Sequence, residues 1–159
     1  MAATLTQDVL DFELPNVGTG PETYSPADSD ADYLVLLLQR DYYCRQCRRQ
    51  VQSVKRRYDE FEAAGMEVVS VLPNDPDRAV DWQTTYELPF PLLADPKKEL
   101  ADEFDQPTRF GVLGALHDVI GRLPEALVVD LSTGEILLDH AGQSRDDRPD
   151  VDELLACAA

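Results

Sequence analysis

The chain has 159 residues and carries 31 Asp and Glu against 14 Lys and Arg, a formal net charge of −17. A chain of that length can bury about 70% of the surface it exposes when unfolded, so its core needs no disulfide staples. The charge excludes nucleic acid and anionic membrane as natural partners, because both would repel it. With 43% hydrophobic residues, composition does not force a disordered reading despite the charge.

From the N-terminus, Met1 to Leu14 has no Lys or Arg and no apolar stretch of the kind a secretory signal needs. The chain is therefore expected in the cytoplasm, with residues 1–10 as a mobile arm. Asp11 to Leu14 reads as a short strand or extended arm, and Gly18 to Asp32 as a polar loop. Tyr33 to Leu38 is an unbroken apolar run, long enough for a strand buried on both faces and far too short to span a bilayer. Between Arg45 and Ala64, the residues Val51, Val54, Tyr58 and Phe61 recur three and four apart, which predicts an amphipathic helix ended by Gly65. Met66 to Leu72 is a second buried strand, and β-α-β order implies parallel pairing through a right-handed crossover. Asp75 followed by Pro76 marks a helix start running to about Tyr86, with Ala79, Trp82 and Tyr86 toward the sheet. Asp95 and Pro96 repeat that signal before Leu100 to Phe104. Glu125 to Asp130 and Glu135 to Asp139, joined by Leu131-Ser132-Thr133-Gly134, read as a hairpin, and a last helix after Pro149 aligns Val151, Leu154 and Leu155. The sum is an α/β fold, one domain over residues 1–159, in which a central mixed β-sheet is flanked by helices on both faces.

The acid excess consists of 20 Asp and 11 Glu, and the bases are 11 Arg with only three lysines, Lys55, Lys97 and Lys98. Short carboxylates dispersed through stretches such as Asp28 to Asp32 and Asp146 to Asp152 resemble the solvated surfaces of proteins from halophilic archaea. An ordinary acidic cytosolic protein is the alternative.

Three cysteines in a reducing compartment point to thiol chemistry or metal binding rather than a disulfide framework. Cys44-Arg45-Gln46-Cys47 lies between the strand ending near Leu38 and the first helix. Helical residues three apart are neighbours, so the two sulfurs can meet without rearranging the fold. Cys44 falls at the helix N-terminus, where free N–H groups and the dipole favour an anion. Arg40, Arg45, Arg48, Arg49 and Lys55 bring positive charge to a chain otherwise poor in it. The thiolate is the nucleophile, and this setting favours it. Cys47, four residues before Val51, is expected to be the more buried member. A zinc site would need a second ligand pair, which the isolated His117 and His140 do not form, so no metal and no cofactor is expected. Two incidental core cysteines remain an alternative to a redox pair. No role falls to His117 or His140, and Cys157 reads as a small apolar residue of the closing helix.

Several segments together resemble the peroxiredoxins of the alkyl hydroperoxide reductase and thiol-specific antioxidant family, which have a thioredoxin-like fold. They are Asp11-Phe12-Glu13-Leu14-Pro15, Tyr33 to Leu38, Tyr86 through Leu88-Pro89-Phe90-Pro91 to Asp95, Phe110-Gly111-Val112, Leu127 to Asp130 with Gly134, and Gly142 to Leu155 with Arg148-Pro149. The active-site pattern departs from the family. Peroxidases of this type have a Pro, a Thr or Ser four residues on, and the attacking Cys three beyond. With Cys47 as the attacking residue, Cys44 replaces the hydroxyl residue and Arg40 the Pro; with Cys44 there, Asp41 and Leu37 stand instead. The family's second active-site Arg falls on Pro124, which is similar to the cis-proline facing the cysteine pair of thioredoxins, so Leu123–Pro124 is a candidate cis bond.

The resemblance implies a thiol-dependent peroxidase in which Cys44 and Cys47 pass through a sulfenic acid to a disulfide, with either cysteine as the attacking thiol. It also implies an external dithiol reductant such as a thioredoxin and a monomer or homodimer. Arg40, Arg45, Arg48 and Arg109 are candidates for stabilising the thiolate or a peroxide, and Tyr42 and Tyr43 for shaping a substrate groove. The alternatives are a thiol–disulfide oxidoreductase without peroxide specificity, and a binding module whose cysteines are idle.

Overall fold

In the computed structural model the described residues are Leu10, 12–100 and 123–158. The expected arm over residues 1–10, apart from Leu10, therefore lies outside them, as do residues 101–104 of the expected helix, the 110–112 segment, Arg109 and His117. Leu10 is buried.

Among the described residues the sheet has five strands in the order β5-β4-β3-β6-β7: β3 (Tyr33–Leu38), β4 (Met66–Leu72), β5 (Leu92–Ala94), β6 (Glu125–Asp130) and β7 (Ile136–Ala141). β4 runs parallel to both β3 and β5, and β6 runs antiparallel to β3 and β7. The apolar run at Tyr33 becomes the central strand because both faces of it must be covered. Val35 and Leu37 enter one core cluster while Leu34, Leu36 and Leu38 enter the other. On the first face lie α1 (Arg45–Arg56), α2 (Tyr58–Ala63), α3 (Pro76–Tyr86) and α4 (Val151–Leu155). Their Val51, Val54, Phe61, Ala79, Trp82 and Leu154 are fully buried there together with Cys47. The opposite face is covered among the described residues by Leu10, Leu14, Tyr24 and Leu100.

Three local features differ from the sequence reading. The helix expected over 45–64 breaks at Arg57, whose φ of −122° leaves the helical region before α2 begins. The polar loop contains β2 (Thr23–Tyr24), paired antiparallel with β1 (Leu14–Pro15), and the three-residue strand β5 has no counterpart in the expected elements. Asn16 holds these pieces together: its amide donates to the carbonyls of Thr19 and Pro21, and its Oδ1 accepts from the backbone of Gly18 and Leu92. The third difference is at Leu123–Pro124, which is trans, since the described residues contain no cis peptide. Pro124 precedes β6, where a missing N–H costs no ladder bond, and its carbonyl extends the β6–β7 pairing by accepting from Gly142 N at 2.8 Å.

Candidate active site

The strand β3 ends at Leu38, and residues 39–44 turn the chain into α1 at the edge of the first core face. Cys44 is the N-cap of α1, with extended φ/ψ, and its Sγ accepts from Cys47 N at 3.1 Å. A cysteine sulfur thus takes the place that an Asp or Ser oxygen fills in most helices. Cys44 and Cys47 are joined as a disulfide, their Cα atoms 5.2 Å apart. Cys44 is 3% exposed and Cys47 not at all, which agrees with Cys47 as the more buried member.

The loop before the pair is rigidly braced. The Tyr42 carbonyl accepts from Arg48 Nε (3.1 Å), Arg48 Nη2 (2.8 Å) and Trp82 Nε1 (3.0 Å). The Tyr42 ring lies under the guanidinium groups of both Arg48 and Arg78, at 4.9 and 5.0 Å, and its hydroxyl donates to Asp81. Arg48 also donates to the Tyr86 hydroxyl. These hydrogen bonds go to the loop and to α3, and Arg48 donates none to the disulfide sulfurs. Tyr43 is 64% exposed, packs edge-on against Tyr42 and accepts from Arg78 through its hydroxyl. Arg45 is exposed on the first turn of α1.

The cation that does reach the sulfurs comes from the loop between β7 and α4. Arg148 Nη2 donates to Cys47 Sγ at 3.0 Å and Cys44 Sγ at 3.4 Å. Its Nη1 donates to Gln50 Oε1 (2.9 Å) and Gln39 Oε1 (3.1 Å), and its Nε to the Arg145 carbonyl (2.9 Å). Five contacts thus meet the five-donor capacity of a guanidinium. Burial, followed by the nearby charge of Arg40, pushes Arg148 down to about 10, so it stays cationic at neutral pH. The Arg40 backbone N–H adds a further donor to Cys47 Sγ at 3.3 Å. Arg148 escaped the sequence reading because 104 residues separate it from Cys44 and its Asp-Asp-Arg-Pro setting looks like a counter-charge on an acidic surface. The one available signal was its place in the segment that resembles the family's closing loop.

Pro124 is buried against this loop. With Glu125, Ala126, His140, Asp147, Arg148 and Gln50 it encloses a small gap, and a β-carbon on Gly142 would meet its ring at 2.8 Å. Beside the disulfide, Arg40, Asp41, Tyr43, Cys44, Arg45, Gln46 and Arg145 line an open cavity of about 470 Å³. Cys157 donates its thiol to the Glu153 carbonyl, and burial pushes its pKa up. Among the described residues no group of His, Cys, Asp and Glu is arranged to hold a metal ion.

This sheet, with a cysteine pair opening its first helix, defines a thioredoxin-like protein with a redox-type dithiol. The pattern of the AhpC/TSA family matches residues 5–132, and the chain belongs to that family. It is 29% identical over 111 residues to the chloroplastic peroxiredoxin Q of Populus jackii, covering 69% of this chain and 47% of that protein. It is 26% identical over 101 residues to the thiol-disulfide oxidoreductase ResA of Halalkalibacterium halodurans, covering 63% and 49%. The chain therefore spans about half the length of these curated relatives. Among solved structures, the peroxidoxin BcpB of Mycobacterium tuberculosis superposes with a TM-score of 0.76 at 21% identity, covering 99% of this chain and 94% of that one. A putative thiol:disulfide interchange protein DsbE from Chlorobium tepidum gives 0.69 at 20% identity, covering 94% of each.

Proposed function

We propose that this protein is a thiol-dependent peroxidase that cycles through the Cys44–Cys47 disulfide. The observation that carries the reading is the pair itself, placed at a helix N-terminus in a family of peroxide-reducing proteins, with the Arg148 guanidinium in contact with both sulfurs. Cys44 is the attacking thiol, because it lines the open cavity and Cys47 does not. In the forward step the Cys44 thiolate takes the terminal oxygen of a peroxide and the O–O bond breaks, leaving an alcohol or water and a Cys44 sulfenic acid. Cys47 then attacks that sulfur, and the oxygen departs as water. An external thiol donor restores the dithiol, and the family resemblance implies a thioredoxin-type one. Arg148 holds negative charge on whichever sulfur carries it, while Arg48, Tyr43 and Pro124 shape the loop and its support. Arg109 remains a candidate on the sequence alone.

The second reading, a thiol–disulfide oxidoreductase, is favoured by one feature: with Cys44 as the attacking thiol the family's hydroxyl residue is replaced by Asp41, and a second cysteine follows three residues on. Stopped-flow mixing of the reduced protein with hydrogen peroxide separates the two. A rate well above that of free cysteine is expected, and a rate equal to it selects the oxidoreductase. Trapping with a sulfenic-acid reagent is expected to label C47S and spare C44S; the reverse pattern would assign the attack to Cys47. A pair whose double replacement alters neither peroxide nor disulfide turnover would be idle, as in a binding module. We further propose, from the Asp-rich and Lys-poor composition, one domain working as a monomer or homodimer in a reducing, salt-rich cytoplasm of the kind found in halophilic archaea. No helix among the described residues is long and apolar enough to cross a membrane.

A further inference from the structure

In a chain with a net charge of −17, the cavity at the disulfide has the opposite sign. Its lining holds three arginines, Arg40, Arg45 and Arg145, against one carboxylate, Asp41. That carboxylate is already engaged, its Oδ1 accepting from the Tyr43 backbone at 2.7 Å. Arg45 and Arg145 are exposed and their side chains make no hydrogen bond or ion pair among the described residues, whereas Arg40 is buried at 7%. Cys44 is in the lining but only 3% exposed, so its sulfur sits in a recess that a small molecule enters more readily than the convex surface of another protein.

We infer that this cavity is a binding site for a small thiol carrying a carboxylate, and that such a thiol is a reductant of the Cys44–Cys47 disulfide. The inference rests on the pair being a redox couple, and it adds a second class of donor to the thioredoxin-type one that the family resemblance implies. The carboxylate is held by Arg45 and Arg145, which places the thiolate at Cys44. The thiolate forms a bond to Cys44 Sγ as the Cys44–Cys47 bond breaks, and the electron pair leaves on Cys47 Sγ. There the Arg40 backbone N–H (3.3 Å) and Arg148 Nη2 (3.0 Å) are in place to receive it. A second thiolate attacks the donor sulfur of the mixed disulfide, releasing the small disulfide and the Cys44 thiolate. Two thiols lose one electron each, and the protein disulfide gains two. Arginine suits the task because its planar fork meets a carboxylate bidentately.

The test follows loss of the Cys44–Cys47 disulfide without peroxide, so its outcome is independent of peroxide turnover. Three probes are used: 3-mercaptopropionate, 2-mercaptoethanol and cysteamine, each normalised to its rate on neutral bis(3-hydroxypropyl) disulfide. At low salt the normalised rate of 3-mercaptopropionate is expected to exceed that of cysteamine by about tenfold, and the gap to shrink as ionic strength nears about 1 M. In R45E/R145E the order of the two is expected to invert. Equal normalised rates at low salt, a preference unaffected by R45E/R145E, or a disulfide that yields to a protein dithiol and to none of the three probes would each overturn the inference. If the charge preference holds while peroxide turnover is absent, the cavity assignment stands and the peroxidase reading falls.

Discussion

Arg148 converts a disulfide-forming pair into an electrostatically defined one. A guanidinium whose N–H groups all find acceptors has no freedom to turn away when the sulfurs are reduced, and the carbonyl of Arg145 with the amides of Gln39 and Gln50 keeps it aimed. A hydrogen bond to a charged group contributes about 1.5–3 kcal/mol, and each 1.4 kcal/mol is tenfold in rate. Replacing Arg148 by Gln is therefore expected to slow the reaction of the reduced pair with peroxide by roughly 10- to 100-fold. The rising limb of the rate–pH profile should also move to higher pH, because the thiolate loses its cation. R148K is expected to recover part of the rate, since it returns a point charge without the planar fork. A variant that merely loses a structural brace would melt earlier with an unmoved pH profile, and that result would remove Arg148 from the chemistry.

The element that delivers Arg148 is the turn from β7 to α4, and one glycine lets it close. A β-carbon on Gly142 would stand 2.8 Å from the Asp147 carbonyl oxygen and 2.9 Å from that of Pro124, so the turn must shift to admit it. His140 and Asp147 tie the other side of the turn at 2.8 Å, and the Asp150–Glu153 capping box starts α4 directly after it. Gly142→Ala is expected to cost about 1–3 kcal/mol in denaturant unfolding, the usual penalty of overpacking. It should also slow peroxide turnover, while G142A/R148Q is no slower than R148Q alone; additive losses in that cycle would show that the turn and Arg148 act separately. At this scale the sequence was legible where burial leaves a pattern. β3 and β4 are apolar runs, α3 begins at Asp75-Pro76, and the β6–β7 hairpin has its four-residue turn. It was illegible where pairing depends on one side chain, as with Asn16 joining β1, β2 and β5. The break at Arg57 was also hidden, because the apolar stripe of Val54 and Phe61 continues through it. The cysteine pair could be read from spacing and context, but its cation could not, because contacts across a hundred residues leave no local period.

Over the whole molecule the carboxylates act in two opposing ways, and salt separates them. Self-repulsion from a net charge of −17 destabilises the compact state at neutral pH, and the Debye length falls from about 10 Å at 0.1 M salt to about 3 Å at 1 M. Certain carboxylates instead stabilise the fold. Asp147 is held below the usual range by the Gln143 backbone N–H and then by His140, Asp130 by the Ser132 hydroxyl and backbone, and Glu60 by Arg57. A carboxylate whose pKa is lower folded than unfolded contributes stability above its unfolded value, near pH 4, and loses it as pH falls through the folded value. At low salt, melting temperature is therefore expected to rise as pH drops from 7, where protonation relieves repulsion, and then to fall below about pH 4. At about 1 M potassium chloride the first limb should flatten, because the neutral-pH form is already screened, while the acid limb persists. D147N is expected to shallow the acid limb alone, since it removes one lowered carboxylate and one of 31 acidic side chains. Thermal melts across pH at the two salt concentrations check all three expectations. A melting temperature at pH 7 that falls with added salt would mean that attractive pairs such as Arg57 with Glu60 and Asp152 outweigh the repulsion, and the acidic surface would then have no claim to be a salt adaptation.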